Sequence, residues 1–111
     1  MTARLIPLNP ADVAARLKVG KAVLVDIREP DEFARGHVEG ALSRPLSNFE
    51  SAHLTIEAAP DVVFTCKSGM RTAANCDRLA ARIDGQAYVL EGGVDNWARA
   101  GLPLEVGAPR R

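Results

Sequence analysis

A chain of 111 residues is the size of one domain, large enough to bury a core without disulfides or a structural metal. Its 47% apolar and 25% charged residues exclude the composition of a disordered chain. Fourteen basic residues against fourteen acidic ones leave no net charge to draw nucleic acid to the surface at large. Two cysteines, Cys66 and Cys76, make a poor disulfide framework, and without further Cys or His at ligand spacing they make a poor zinc site. The opening MTARLIPLNP lacks the apolar core of a secretion signal, and no apolar run approaches the length that crosses a bilayer. The expectation is a soluble, cytoplasmic chain with reduced thiols.

In chain order, Asn9 followed by Pro10 signals a helix start, because the Asn side chain caps orphan amides and proline is already set at helical φ. Val13, Ala14 and Leu17 continue at helical spacing through ADVAARLK, and Gly20 ends that helix. The run AVLVDI, Ala22 to Ile27, is short, continuous and rich in β-branched residues, which predicts a strand buried on both faces. Pro30 opens a short helix, PDEFARG, with Asp31 and Glu32 in its first turn and Gly36 at its end. A short extended piece around Ala41 to Ser43 follows, and SNFESAHLTIEAAP reads as a weak helix leading to the break at Pro60. DVVFTC repeats the buried-strand pattern. A helix over RTAANCDRLAARI puts Ala73, Cys76, Leu79, Ala80 and Ile83 on one face, which makes Cys76 a packing residue. AYVL is a third apolar strand, and Gly92 and Gly93 turn the chain into a last helix, VDNWARA, where Trp97 is a core anchor at helical spacing from Val94. EVGAPRR reads as a frayed tail. Short buried strands alternating with helices predict an α/β domain on a parallel sheet, since parallel strands need crossovers and helices supply them.

The chemistry concentrates in CKSGMR, residues 66 to 71. Reactive groups in an open parallel sheet collect at the carboxyl ends of the strands, and Cys66 lies at that end of DVVFT. The loop it opens feeds a helix, whose first amides are unpaired and suit an anion such as a thiolate, a persulfide or a substrate's oxygens. Gly69 permits the backbone angles that turn several N–H groups inward, and the charges of Lys67 and Arg71 favour an ionised thiol. Packing alone explains neither the glycine nor the cations. That is a nucleophile's setting.

CKSGMR resembles the six-residue active-site loop of the rhodanese family of sulfurtransferases. Upstream, VDIREPDEFARGHVEGA is similar to the family's D-x-R-x-x-x-E-F-x-x-G-H-I-x-G-A at Asp26, Arg28, Glu32, Phe33, Gly36, His37, Gly40 and Ala41. Downstream, LEGGVDNWARAGLP resembles the ending L-x-G-G-x-x-x-W-x-x-x-G-x-P through Trp97, Gly101 and Pro103. The resemblance runs in family order from Val23 to Pro103. It implies a rhodanese-like domain over residues 1–106 with a short tail at 107–111. The fold it implies is a five-stranded, mainly parallel sheet flanked by helices on both faces. It also implies a sulfurtransferase that takes sulfane sulfur from thiosulfate or a similar donor onto Cys66 as a persulfide and passes it to a thiol or cyanide. Lys67, Ser68, Gly69, Met70 and Arg71 then form the anion-binding loop, with no metal and no cofactor. A protein could also serve as sulfur donor or acceptor. A membrane enters only if the chain continues beyond Arg111 in a longer protein, where Arg110 and Arg111 would suit the cytoplasmic side.

Asp26 and Arg28 fall at the same sheet edge as Cys66, where they could border the pocket, and the expected partner of Arg28 is Glu32 or Asp31. His37 is expected to be structural, bonding nearby backbone, and His53 stands outside every motif. Two alternatives stay open. One is a carrier or redox-sensing module that loads once and does not turn over. The other is a phosphatase or arsenate reductase, since the loop ends in arginine like C-x-x-x-x-x-R enzymes. Here four residues separate Cys66 from Arg71 where those have five, which makes a ring of amides suited to one sulfur rather than a phosphate.

Overall fold

The β-branched runs and the helical stretches between them assemble into one five-stranded sheet whose strand pairs are all parallel. The computed structural model describes residues 5–50, 61–83 and 86–108. The elements are β1 (Ile6–Leu8), α1 (Pro10–Lys18), β2 (Ala22–Asp26), α2 (Pro30–Arg35), β3 (Leu42–Ser43), a single 3-10 turn at Leu46–Asn48, β4 (Asp61–Thr65), α3 (Met70–Ala74), α4 (Cys76–Ala80), β5 (Ala87–Leu90) and α5 (Gly93–Arg99). Across the sheet the order is β1-β5-β4-β2-β3, so β4 and β2 are central and short β1 and β3 form the edges.

Both faces of the central strands are covered, which is why their sequences read as continuous apolar runs rather than alternating ones. On one face Val25, Ile27, Val62, Phe64 and Cys66 pack with Phe49 and with Leu79 of α4. On the other, Leu24 and Val63 pack with Val13 of α1 and Trp97 of α5. The Trp97 indole N–H donates to Pro103 O at 2.9 Å, so the turn after α5 is tied back to the helix by the tryptophan it follows. Asn9 caps α1 as its sequence predicts, accepting from the Asp12 amide at 2.8 Å.

The structure departs from the sequence-based expectations in four places. The first strand, β1, is three residues long and contains Pro7, which an edge position tolerates. Its definition comes from pairing with distant β5, Ile6 opposite Tyr88. The helix expected over RTAANCDRLAARI is instead two short helices broken at Asn75, whose φ is −122°. The Asn75 side-chain amide donates to Arg71 O at 2.8 Å, taking the carbonyl that a continuing helix would use, a competition typical of asparagine. The expected frayed tail is pinned at its start. Glu105 exchanges both backbone hydrogen bonds with His37, at 2.9 and 2.8 Å, and the Gly107 amide donates to Ala34 O. The fourth departure is the partner of Arg28, described with the site below.

Only the start of the expected weak helix is described, as the 3-10 turn; residues 51–60, with His53, lie outside the described residues, as do Arg110 and Arg111. Among the described residues no helix is long and apolar enough to cross a membrane.

Candidate active site

The alternation of β4 decides where Cys66 points. Val62, Phe64 and Cys66 are two residues apart and share one face, so the thiol lies on the side covered by α4, and the residue is 1% exposed. The chain then turns sharply. Gly69 sits at φ +98°, a region that disfavours side chains, and from there its N–H donates to Cys66 Sγ at 3.1 Å. Thr72, also 1% exposed, donates its hydroxyl to Gly69 O at 2.8 Å, and its Oγ1 lies 3.8 Å from Cys66 Sγ, from which it can accept.

The outer wall of the loop is made by α5. The amides of Val94 and Asp95 donate to Cys66 O and Lys67 O, each at 2.9 Å. These carbonyls are thereby engaged by the first turn of α5, while the Gly69 amide is the backbone group that meets the thiol. The contact is close enough to demand a glycine: a Cβ on Gly93, whose φ is +66°, would lie 2.5 Å from both carbonyl oxygens. Sequence reasoning took Gly92 and Gly93 as a turn and as part of the L-x-G-G pattern, without giving either a place at the loop. The doublet was the available signal, since one glycine suffices to reverse the chain. Thr72 was also missed, because a threonine after a loop arginine has no distinguishing pattern.

Replacing Thr72 by valine removes the hydroxyl that steadies Gly69 while keeping the shape. The expected outcome is a loss of about 1 kcal/mol in urea unfolding together with slower modification of Cys66 by an added electrophile. An unchanged Cys66 reactivity would show that Gly69 is held without it.

Both loop cations have acidic partners. Lys67 Nζ lies 3.1 and 3.3 Å from the Asp95 carboxylate, and Arg71 makes a two-point pair with Glu32 at 2.7 and 2.8 Å. The Arg71 hydrogen bonds are the main reason that the Glu32 carboxyl is held at about 2, below its ordinary 4.5; burial opposes this, and the Glu29 amide and the charges of Arg71 and Arg28 add to it. Because the folded value is the lower one, the pair contributes fully above about 4.5 and is lost as pH falls through about 2. Stability measured by urea unfolding is therefore expected to decline on acidification across that window, and a Glu32→Gln variant to decline less. Parallel acid limbs for the two proteins would refute the assignment.

Arg28 does not pair with Glu32 or Asp31 as expected. Glu32 is taken by Arg71, and Asp31 lies 3.6 Å from Arg35. Arg28 turns back instead onto Asp26, with Nε 3.0 Å from Oδ1 and Nη2 2.8 Å from Oδ2, and donates to Gly36 O at 2.8 Å. The pair is buried, with Asp26 fully enclosed, and it ties the end of β2 to the end of α2. Asp26 lies opposite Thr65 in the sheet register, one residue before Cys66, so the two strand ends are adjacent. Arg28 also lines a shallow cleft of about 230 Å³ with Glu32, Lys67 and Asp95. His37 is a structural residue in this arrangement: Nδ1 donates to Phe33 O at 2.8 Å, and the ring stacks on Phe33 with centroids 3.8 Å apart. Beside the loop, a cavity of about 420 Å³ is bounded by Leu5, Pro7, Gly69, Thr72, Cys76 and Gly92.

Comparison with known proteins shows the same fold and family. The sequence profile of the rhodanese-like domain matches residues 9–100. A protein of Allochromatium vinosum named sulfurtransferase is 39% identical over 82 residues, which is 74% of this chain and 77% of that protein. The fold superposes on a thiosulfate sulfurtransferase from Pseudomonas aeruginosa with a TM-score of 0.83 and 25% identity, covering 96% of this chain and 20% of that one. It also superposes on a Rhodopseudomonas palustris protein described as a possible tyrosine phosphatase, with a TM-score of 0.74 and 29% identity, covering 91% of this chain and 85% of that one. The chain spans less than half the length of two other curated relatives, 46% and 45%.

Proposed function

Because the chain belongs to the rhodanese-like domain family, we propose that it is a sulfurtransferase that carries sulfane sulfur as a persulfide on Cys66. The observation that carries this reading is the Gly69 N–H aimed at Cys66 Sγ from 3.1 Å, inside a loop whose Cys66 and Lys67 carbonyls are already bonded to α5. A donor N–H stabilises charge on the thiol sulfur and, after transfer, on the persulfide. No metal or cofactor is needed for the step.

With thiosulfate as donor, the Cys66 thiolate attacks the terminal sulfur. The new Sγ–S bond forms as the donor's S–S bond breaks, and sulfite departs with the electron pair. A thiol or cyanide then attacks the outer sulfur, and Cys66 leaves as thiolate. Burial of Cys66 at 1% exposure favours a donor that presents a single terminal atom. The four-residue spacing to Arg71 likewise suits one sulfur, not the oxygens of a phosphate, so p-nitrophenyl phosphate should remain unhydrolysed. The cellular setting that fits is the cytoplasm, with a small-molecule or protein donor.

The test is intact mass after incubation with thiosulfate, followed by repeated cyanide chase and thiocyanate detection. One added sulfur, discharged over many cycles, supports a catalyst. Loading that occurs once and discharges only to a protein partner would favour a carrier, and phosphatase turnover by the wild type would overturn the reading.

A further inference from the structure

The loop that carries Cys66 adjoins two recesses. The cleft is lined by Arg28, Glu32, Arg35, Lys67 and Asp95. Its charges are matched: Arg28 pairs with Asp26, Lys67 with Asp95 and Arg71 with Glu32, and Arg35 lies 3.6 Å from Asp31. The cavity of about 420 Å³ shares no lining residue with the cleft, and the single charged residue on its wall is Glu91.

Glu91 holds the variable place in the L-x-G-G pattern, on the exposed turn that follows β5. Its backbone is engaged, the amide donating to Leu8 O and the carbonyl accepting from Asn96. Its carboxylate has no ion-pair partner among the described residues. The wall around it is apolar, with Leu5, Pro7, Val89 and Leu90. A cavity of this volume is in the range that receives small organic molecules. One whose charge is a lone carboxylate favours an apolar molecule with a cationic group and disfavours an anion.

The same cavity reaches the chemistry. Gly69 and Thr72 are part of its wall, and both meet the thiol, the Gly69 N–H at 3.1 Å and Thr72 Oγ1 at 3.8 Å from Sγ. On the premise that Cys66 carries sulfane sulfur, we propose that this cavity receives the sulfur acceptor, a thiol with an apolar body and an ammonium group, and that Glu91 selects it against anionic thiols.

The transfer balances without an oxidant or reductant. The acceptor thiolate attacks the outer sulfur of the Cys66 persulfide, and the new S–S bond forms as the Sγ–S bond breaks. The electron pair leaves on Cys66 as thiolate, and the proton on the outer sulfur departs with the product R–S–SH. The ammonium group takes no part in bond making; its pairing with Glu91 holds the acceptor beside the loop.

The test separates discharge from loading. Cys66 is loaded with thiosulfate and excess donor is removed. Loss of the added sulfur is then followed by intact mass with cysteamine, 2-mercaptoethanol or mercaptoacetate, three thiols of similar size and different charge. Their intrinsic reactivities differ, so the readout is the ratio of the cysteamine to the mercaptoacetate rate constant and its change between proteins. In Glu91→Gln that ratio is expected to fall roughly fivefold at low salt, and in Glu91→Lys to fall further, with 2-mercaptoethanol between the two in each case. Added salt should lower the ratio in wild type more than in Glu91→Gln, as the carboxylate is screened. A merely structural role for Glu91 would slow the three thiols alike and leave the ratio where it was. A ratio unmoved in both folded variants, or discharge by cyanide with none by the thiols, would overturn the proposal and leave the sulfurtransferase reading intact. Reduced Cys66 that takes sulfur from neither thiosulfate nor inorganic polysulfide would remove that reading and the proposal with it.

Discussion

Replacing Cys66 by serine will abolish sulfur loading while leaving the protein folded. The hydroxyl is a much weaker nucleophile than a thiolate at neutral pH and cannot accept sulfane sulfur by simple exchange, so the loss should be complete within detection rather than partial. Stability should change little. Serine is close to the size of cysteine, and its oxygen can accept the Gly69 N–H that now points at Sγ. Circular dichroism and urea unfolding would check the fold, and intact mass after thiosulfate or persulfide would check the loading. A Cys76→Ser protein is the matching control. Its sulfur lies on a helix face packed against the core, so it should load one sulfur as wild type does. Sulfur retained by Cys66→Ser and lost by Cys76→Ser would reverse the assignment of the nucleophile.

The second large effect is expected at Gly93, which contributes no chemistry. Alanine there meets two separate obstacles. Its φ of +66° costs about 1–2 kcal/mol for a residue with a Cβ. The Cβ would also lie 2.5 Å from the Cys66 and Lys67 carbonyl oxygens and 2.6 Å from the Lys67 carbonyl carbon. These are backbone atoms, so no rotamer change relieves the overlap; the loop or α5 must shift, and the bonds from Val94 and Asp95 are strained with it. The sum is expected to reach about 3–5 kcal/mol, with sulfur loading reduced in whatever protein remains folded. Gly40→Ala separates the two terms. Gly40 also has positive φ, +83°, but nothing lies within 4 Å of its added Cβ, so it should show the backbone cost alone. Equal destabilisation by the two variants would mean that the α5 contact does not constrain the loop.

The acid pairs bear on how far the site could be read in advance. Lys67 and Arg71 stood out as cations beside the thiol because they lie within six consecutive residues that include the cysteine and the glycine. Their carboxylate partners were not, since Asp95 is 28 and Glu32 39 residues away in the chain. Nothing in either local pattern points to the other. Arg28 illustrates the same limit at short range. Helical geometry offered Asp31 and Glu32 as neighbours, yet burial at the strand end favoured Asp26, two residues back, where both groups leave water together and satisfy one another.

What the sequence determined by itself is whatever follows from contiguous residues. The β-branched runs at Ala22, Asp61 and Ala87 became β2, β4 and β5 because hydrophobic pattern and propensity act along a few neighbouring residues. Cys66 with Gly69 and Arg71 marked the candidate loop because the Gly69 amide that meets the thiol is only three residues from it. Tertiary structure alone decided the rest. It paired Pro7-containing β1 with β5, pinned Glu105 on His37, packed Gly93 against the Cys66 carbonyl, and matched each loop cation with an acid. Each of these is a contact between segments far apart in the chain, or a competition between such a contact and a local preference. Its energy exists only once the sheet has brought the partners together.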